Sequence, residues 1–155
     1  MADIHAEPAE LVEAGPDFYG RRQQLAPTAQ AAWQRMQQAA GDEGVVLHLI
    51  SAFRSVDYQC ELIRKKLASG QSIETILQVN AAPGLSEHHT GRAIDIGTVE
   101  CPALEEEFEG TPAFAWLSKN AGRFGFVLSY PRGNSTGICY EPWHWCYHGN
   151  SEKNQ

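Results

Sequence analysis

The sequence lacks any hydrophobic run of the ~20 residues that a membrane-spanning helix requires. Its longest apolar stretch, residues 44–50, has only the length of a buried strand. Positive charge is also scarce, because 12 Lys and Arg residues stand against 19 Asp and Glu residues and the formal net charge is -7. We therefore expect neither a nucleic-acid partner nor a membrane span or polybasic membrane surface.

A secretory signal is also missing from the sequence as written. Residues 1–15 are acidic and alanine-rich and contain neither a basic segment nor an apolar segment of the signal type. The sequence therefore predicts a cytoplasmic protein. A periplasmic or wall-associated location is the alternative if a signal was removed.

The sequence contains no CxxC pair, and its four cysteines are widely spread, at Cys60, Cys101, Cys139 and Cys146. This distribution favours buried, reduced thiols, with two disulfides as the alternative. A second zinc site made of His148, Cys139 and Cys146 is disfavoured, because the spacing is irregular and no fourth ligand is evident.

The length of 155 residues is most simply that of one domain. We expect an irregular or partly helical lead-in over residues 1–26 and a single domain, expected to be monomeric, over residues 27–150. Helical patterns cover residues 27–40, 55–67, 73–79, 104–108 and 111–121. Strand patterns cover residues 45–50, 92–97, 126–129 and 140–147. Because the two kinds of pattern are partly segregated, we predict an α+β fold with a small, mostly antiparallel sheet flanked by helices.

Residues 86–97 hold two candidate metal ligands, His88 and Asp95. On an extended strand Ala93, Asp95 and Gly97 share one face, so the carboxylate is flanked by residues too small to block access to it. A catalytic zinc usually takes three protein ligands and leaves a fourth position for water. The sequence therefore requires one more ligand.

The missing ligand is predicted to be His144, near the end of the chain. Glu141 precedes it by three positions, so on a regular strand the two side chains would face opposite ways. Pro142 cannot donate to a strand ladder, and a kink there would bring both side chains into one cleft. His144 then supplies a nitrogen to the metal, and Glu141 acts as general base. Trp143 is predicted to wall the cleft together with Trp145.

These motifs carry a resemblance to a known family. The sequence resembles the zinc D-alanyl-D-alanine carboxypeptidases, in particular the VanY-type branch of the family that also contains lysostaphin-type enzymes and the hedgehog signalling domain. The similarity runs over residues 45–147. The motifs that carry it are Ser51-Ala52-Phe53-Arg54-Ser55, Gln59, Ser86-x-His88-x-x-Gly91-x-Ala93-x-Asp95, Gly125-Phe126, Tyr130-Pro131 and Tyr140-Glu141-Pro142-Trp143-His144.

The resemblance implies a hedgehog and D-Ala-D-Ala-peptidase-like fold with Zn²⁺ held by His88, Asp95 and His144. It also implies Glu141 as the catalytic base and Arg54 as the residue that polarises the scissile carbonyl. Two further positions match residues that hold the substrate's C-terminal end, namely Ser86 and Gln59. The implied reaction is removal of the terminal D-alanine from peptidoglycan stem peptides.

Three positions depart from the family pattern: Phe53 replaces an expected tyrosine, Ser129 an often basic residue, and Cys146 a common arginine. They leave the substrate details open. The alternatives are an L,D-carboxypeptidase, a phage-type L-alanyl-D-glutamate endopeptidase, and a non-catalytic zinc-containing domain of the hedgehog type. His89, beside a predicted ligand, is expected to be exposed.

Overall fold

The computed structural model describes residues 4–149 of the chain. Strands and helices are numbered separately in chain order. The strands are β1 (Val12–Pro16), β2 (Arg22–Leu25), β3 (His48–Ser51), β4 (Ala93–Gly97), β5 (Phe126–Leu128) and β6 (His144–Tyr147). The α-helices are α1 (Pro27–Asp42), α2 (Val56–Ala68), α3 (Ile73–Val79) and α4 (Pro112–Asn120). Short 3₁₀ turns cover Glu87–Thr90, Glu106–Gly110 and Ala121–Phe124.

The main sheet has the strand order β3-β4-β6-β5, and each neighbouring pair is antiparallel. Strand β4 lies in the interior of this sheet between β3 and β6, and all five of its residues are buried. Strands β1 and β2 form a separate antiparallel hairpin. The predicted α+β fold with a small antiparallel sheet is therefore confirmed.

One apolar core joins the main sheet to the helices. Helix α1 begins with Pro27 in its first turn and buries Ala29, Ala32, Trp33 and Met36 at helical spacing. The same cluster includes residues of β4, β6 and α4: Ile94, Ile96, Trp145, Trp116 and Leu117. The core thus covers one face of β4 and β6, and the opposite face of these strands carries Asp95 and His144.

Several boundaries differ from the sequence-based expectation. The segment expected to be an irregular or partly helical lead-in contains the β1–β2 hairpin, while the proposed domain boundary at residue 27 stays a prediction. Strand β6 begins at His144 rather than at residue 140, because the residues before it form a turn around Pro142. The helix expected over residues 104–108 is instead the 3₁₀ turn Glu106–Gly110.

Asp17 holds the loop of the hairpin together, and Gln23 connects the hairpin to the segment after β3. The Asp17 carboxylate accepts hydrogen bonds from the backbone nitrogens of Tyr19 and Arg21 and from the side chains of Arg21 and Gln23, at 2.7–3.0 Å. Gln23 in turn accepts from the backbone nitrogen of Ala52 at 3.0 Å. The backbone nitrogen of Phe53 donates to the backbone carbonyl oxygen of Gln24 at 2.9 Å. The hairpin therefore fixes the loop that follows β3.

The four thiols are unpaired, and Cys146 alone among them is buried. The expectation of buried cysteines is wrong for Cys139, which is exposed, and for the partly exposed Cys60 and Cys101. Over residues 4–149, no helix has both the length and the apolar character to cross a bilayer.

Candidate metal centre and active-site cleft

The three predicted metal ligands meet on the face of the main sheet opposite the apolar core. Asp95 on β4 lies directly opposite His144 on β6 in the antiparallel register. His88 comes from the 3₁₀ turn just before β4. That turn closes at Gly91 with φ +70°, where a Cβ atom would also lie 3.0 Å from the backbone nitrogen of Ala26. One possible ligand atom from each of His88, Asp95 and His144 lies within 4.8 Å of the others.

Both imidazole rings are oriented by a hydrogen bond on the side away from Asp95. His88 Nδ1 donates to the carbonyl oxygen of Ala52 at 2.7 Å, while its Nε2 lies 3.3 Å from Asp95 Oδ2. His144 Nε2 donates to Glu87 Oε1 at 2.8 Å, while its Nδ1 lies 3.1 Å from Asp95 Oδ1. Two fixed nitrogens and a carboxylate are a donor set that suits zinc, and such outer hydrogen bonds typically orient zinc-binding histidines.

Glu87 was not predicted from the sequence, although it is adjacent to His88. Besides the hydrogen bond from His144, its Oε1 accepts one from the Ser129 hydroxyl at 2.6 Å. Burial opposes ionisation, but the hydrogen bond from His144 outweighs it and lowers the pKa of Glu87 to about 2. Glu87 is therefore a carboxylate that supports His144 from behind.

The charges around these ligands favour a bound cation. Burial opposes ionisation of Asp95, but the neighbouring His88 and His144 outweigh it and hold its pKa below the usual range. Burial lowers the pKa of His88. It opposes the charged form of His144 too, but hydrogen bonds to Asp95 and Glu87 raise the pKa of His144 to about 10. A site that holds a proton this firmly also attracts a divalent cation in place of that proton.

Glu141 reaches the same cleft because the chain turns at Pro142, as the sequence predicts. The backbone nitrogen of His144 donates to the carbonyl oxygen of Glu141 at 3.3 Å, which closes the turn. Glu141 Oε1 then lies 3.9 Å from His144 Nδ1, and Glu141 is 9% exposed. Burial raises the pKa of Glu141 to about 7, with a further rise from Asp95 and opposition from His144. This value suits a group that both accepts and donates a proton near neutral pH.

Arg54 lines the cleft and is fixed at both its backbone and its guanidinium group. The backbone nitrogen donates to the carbonyl oxygen of His88 at 3.1 Å. The guanidinium donates to Gln59 Oε1 at 3.1 Å and to Ser51 Oγ at 3.3 Å. Gln59 is fully buried, and its amide nitrogen donates to the carbonyl oxygen of Ala81 at 2.7 Å. The structure therefore shows Gln59 holding Arg54, while its predicted contact with substrate remains untested.

The cleft in front of these groups has a volume of about 560 Å³. Both remaining predicted substrate residues line it, namely Ser86 and Trp143. The Ser86 hydroxyl accepts from the backbone nitrogen of His88 at 3.2 Å, so it also caps the 3₁₀ turn. Tyr130 lies over the imidazole ring of His144, with the ring centroids 4.8 Å apart. Sequence reasoning did not single out Tyr130 as a site residue.

Two expectations about neighbouring residues are wrong. His89 is not exposed but fully buried, where its Nδ1 donates to the carbonyl oxygen of Arg54 at 2.7 Å and its Nε2 accepts from the backbone nitrogen of Gly84 at 3.1 Å. Trp145 does not wall the cleft, because strand alternation directs its side chain into the core beside Phe114.

Comparison with known proteins identifies the family. The family model described as VanY, D-alanyl-D-alanine carboxypeptidase, matches residues 22–150. The chain belongs to the VanY family. A putative carboxypeptidase, YodJ of Bacillus subtilis (strain 168), is 33% identical over 150 residues, which are 92% of this chain and 55% of that protein. The chain thus spans little more than half the length of this curated relative.

Solved structures of VanY-like enzymes share the fold. The LdcB LD-carboxypeptidase superposes with a TM-score of 0.84 at 31% identity, covering 96% of this chain and 72% of that one. A VanY D,D-pentapeptidase variant from a vancomycin-resistance cassette was solved in complex with Zn(II). It superposes with a TM-score of 0.72 at 27% identity, covering 96% of this chain and 88% of that one. The family and fold predictions are therefore confirmed.

Proposed function

We propose that the chain is a zinc-dependent carboxypeptidase that hydrolyses the bond before the terminal D-alanine of peptidoglycan stem peptides. The observation that carries this proposal is the meeting of His88, Asp95 and His144 with the buried carboxylate of Glu141 in one cleft. Membership of the VanY family supports the reaction type. The zinc in the solved VanY structure supports the choice of metal.

Glu141 supplies the proton transfers of the proposed reaction. Zinc, when bound, acts as a Lewis acid and lowers the pKa of water in the site. Glu141 accepts a proton from the attacking water and then gives it to the amine of the leaving D-alanine. Burial raises its pKa, which makes it a better acceptor for the proton of the attacking water. The proton therefore needs no other carrier.

Arg54 stabilises the negative charge that develops on the scissile carbonyl oxygen. A guanidinium held in place by Gln59 and Ser51 need not reorganise as the charge forms. In a partly buried cleft such a fixed positive group is worth more than it would be in water. A structural zinc site needs neither this arginine nor Glu141, which favours an enzyme over a non-catalytic binding domain.

An L,D-carboxypeptidase is the second candidate, because the LdcB LD-carboxypeptidase superposes with a higher TM-score, 0.84, than the VanY structure, 0.72. Glu105 and Glu106 also line the cleft. Their carboxylates can accept hydrogen bonds from the free ammonium group of a diamino acid that precedes the scissile bond. That chemistry fits a tetrapeptide in which D-alanine follows a diamino acid.

The experiment is to incubate the zinc-loaded protein with stem tripeptide, tetrapeptide and pentapeptide and to identify the products by mass. Release of D-alanine from the pentapeptide alone establishes D,D-cleavage, and release from the tetrapeptide establishes L,D-cleavage. A pentapeptide ending in L-alanine is the matched control and should remain intact. Zinc-loaded protein that leaves every stem intact, or that cuts only between L-alanine and D-glutamate, contradicts the proposal.

A further inference from the structure

A second cluster of side chains of the kinds that bind metals lies on the far side of Glu87 from His144. Glu87, Cys146 and His148 each place one possible ligand atom within 4.8 Å of the other two. All three line a cavity of about 440 Å³ that is separate from the active-site cleft, and His5 lines it as well. The sequence-based alternative of His148 with Cys139 and Cys146 named two of these residues but the wrong third one.

Strand geometry explains why these side chains meet. On β6, His144 and Cys146 are two residues apart and share one face, while Trp145 and Tyr147 belong to the opposite, core-packed face. His148 follows at the same interval just after the strand. Cys146 lies opposite Ala93 in the register and lines the cavity. His144, Cys146 and His148 therefore follow one another along the same face of β6 and the residues just after it.

Glu87 lies between the two groups of ligands. Its Oε1 already accepts hydrogen bonds from His144 and Ser129, at 2.8 and 2.6 Å. A carboxylate has two oxygens with about four acceptor positions in all, so capacity remains for a cation. Glu87 can therefore support His144 and bind a second metal at once.

We propose that Glu87, Cys146 and His148 form a second binding site for a divalent cation of the zinc class. Sulfur, imidazole nitrogen and carboxylate oxygen together suit Zn²⁺ or Co²⁺, whereas Mg²⁺ and Ca²⁺ require oxygen ligands. When the metal binds, the bond to Cys146 Sγ forms as the thiol proton is released to solvent. His148 contributes a neutral nitrogen, and no electron is transferred. The cavity supplies access from the surface.

Cobalt gives a readout for this site that the first site cannot produce. Of the two sites, only the second has a sulfur ligand, so a sulfur-to-cobalt charge-transfer band in the near ultraviolet reports on Cys146. We would remove bound metal from the full chain with a chelator, add Co²⁺ in excess and record the absorption spectrum. The band should appear in the unsubstituted protein and in Cys139→Ser, whose thiol is exposed and outside the cluster. It should be absent from Cys146→Ser.

Native mass spectrometry with excess Zn²⁺ provides an independent test, since Cys146 is buried and its substitution can disturb folding. The unsubstituted chain should bind two ions and His148→Ala one, because His148 is exposed and its removal leaves the core intact. A single ion on the unsubstituted chain overturns the proposal. So does a charge-transfer band that is absent from the unsubstituted chain, persists in Cys146→Ser or disappears in Cys139→Ser. Peptide hydrolysis plays no part in these readouts.

Discussion

Glu87 Oε1 accepts a hydrogen bond from His144 Nε2 over 2.8 Å, on the side of the imidazole away from Asp95. This contact leaves Nδ1 facing Asp95 Oδ1 at 3.1 Å. A carboxylate behind a ligating histidine fixes the orientation of the ring and increases its basicity. Glu87 therefore orients the side of His144 that is predicted to bind the metal.

Replacing Glu87 by glutamine should weaken zinc binding by about 10- to 100-fold, the usual effect of removing such a supporting carboxylate. Glutamine keeps an acceptor oxygen but loses the negative charge. Competition with a chelator of known zinc affinity measures the change, with this variant and its control both made in a His148→Ala background that lacks the proposed second site. Glu100→Gln, at an exposed position, is the control and should retain the affinity of the unsubstituted chain. Equal zinc affinity in Glu87→Gln would show that His144 does not depend on Glu87.

Replacing Arg54 by lysine should lower kcat by about 10²-fold or more with a smaller change in KM, the range seen when an oxyanion donor is lost. Lysine retains the charge but cannot donate to Gln59 and Ser51 with the same planar group. Steady-state kinetics on the cleaved stem peptide separates the two parameters. Arg64→Lys, on the exposed side of α2, should behave as the unsubstituted chain. A change confined to KM would instead assign Arg54 to ground-state binding.

Asp17→Asn should lower the free energy of unfolding by about 1–3 kcal/mol, because the new amide cannot accept the bonds from Arg21 and Gln23 that the carboxylate accepts. The side chain of Asp17 is fully buried. Thermal unfolding measures the loss. Asp42→Asn, at the exposed end of α1, is the matched control and should change stability little.

The stabilisation that Asp17 contributes should also depend on pH. Burial opposes ionisation of Asp17, but its hydrogen bonds from Gln23 and Arg21 outweigh this and lower its pKa in the folded protein. The stabilisation is therefore fully present above the unfolded-state pKa of about 3.9 and is lost as pH falls through the lower folded-state pKa. The stability difference between the unsubstituted chain and Asp17→Asn should shrink below about pH 4. A difference that is constant from pH 7 to pH 3 would refute this role.

The meeting of His88, Asp95 and His144 could be predicted from sequence because the pattern that indicates it is local. His88 and Asp95 flank a short turn and strand, and the kink at Pro142 accounts for the joint placement of Glu141 and His144. Glu87 could not be predicted in this way, because an acidic residue next to a histidine also suits an exposed surface. Its role depends on His144, 57 residues later in the chain.

The β1–β2 hairpin was missed for a related reason. Strand β2 reads Arg22-Gln23-Gln24-Leu25 and has no alternation of apolar and polar residues. It is held by long-range polar contacts, such as that from the backbone nitrogen of Ala52 to Gln23 Oε1. The Ala52 carbonyl then orients His88. A segment expected to lie outside the domain therefore supports the metal centre.

The central claim is that Glu141 transfers the proton while His88, Asp95 and His144 hold zinc. Its most direct test is the hydrolysis rate of zinc-loaded Glu141→Ala on the stem peptide that the unsubstituted chain cleaves, with bound zinc counted by native mass spectrometry. We expect the variant to fold, to keep zinc at the three ligands and to lose about 10²- to 10⁴-fold in kcat. Full activity in the zinc-loaded variant would contradict the account, and loss of zinc from those ligands would make Glu141 a metal ligand instead.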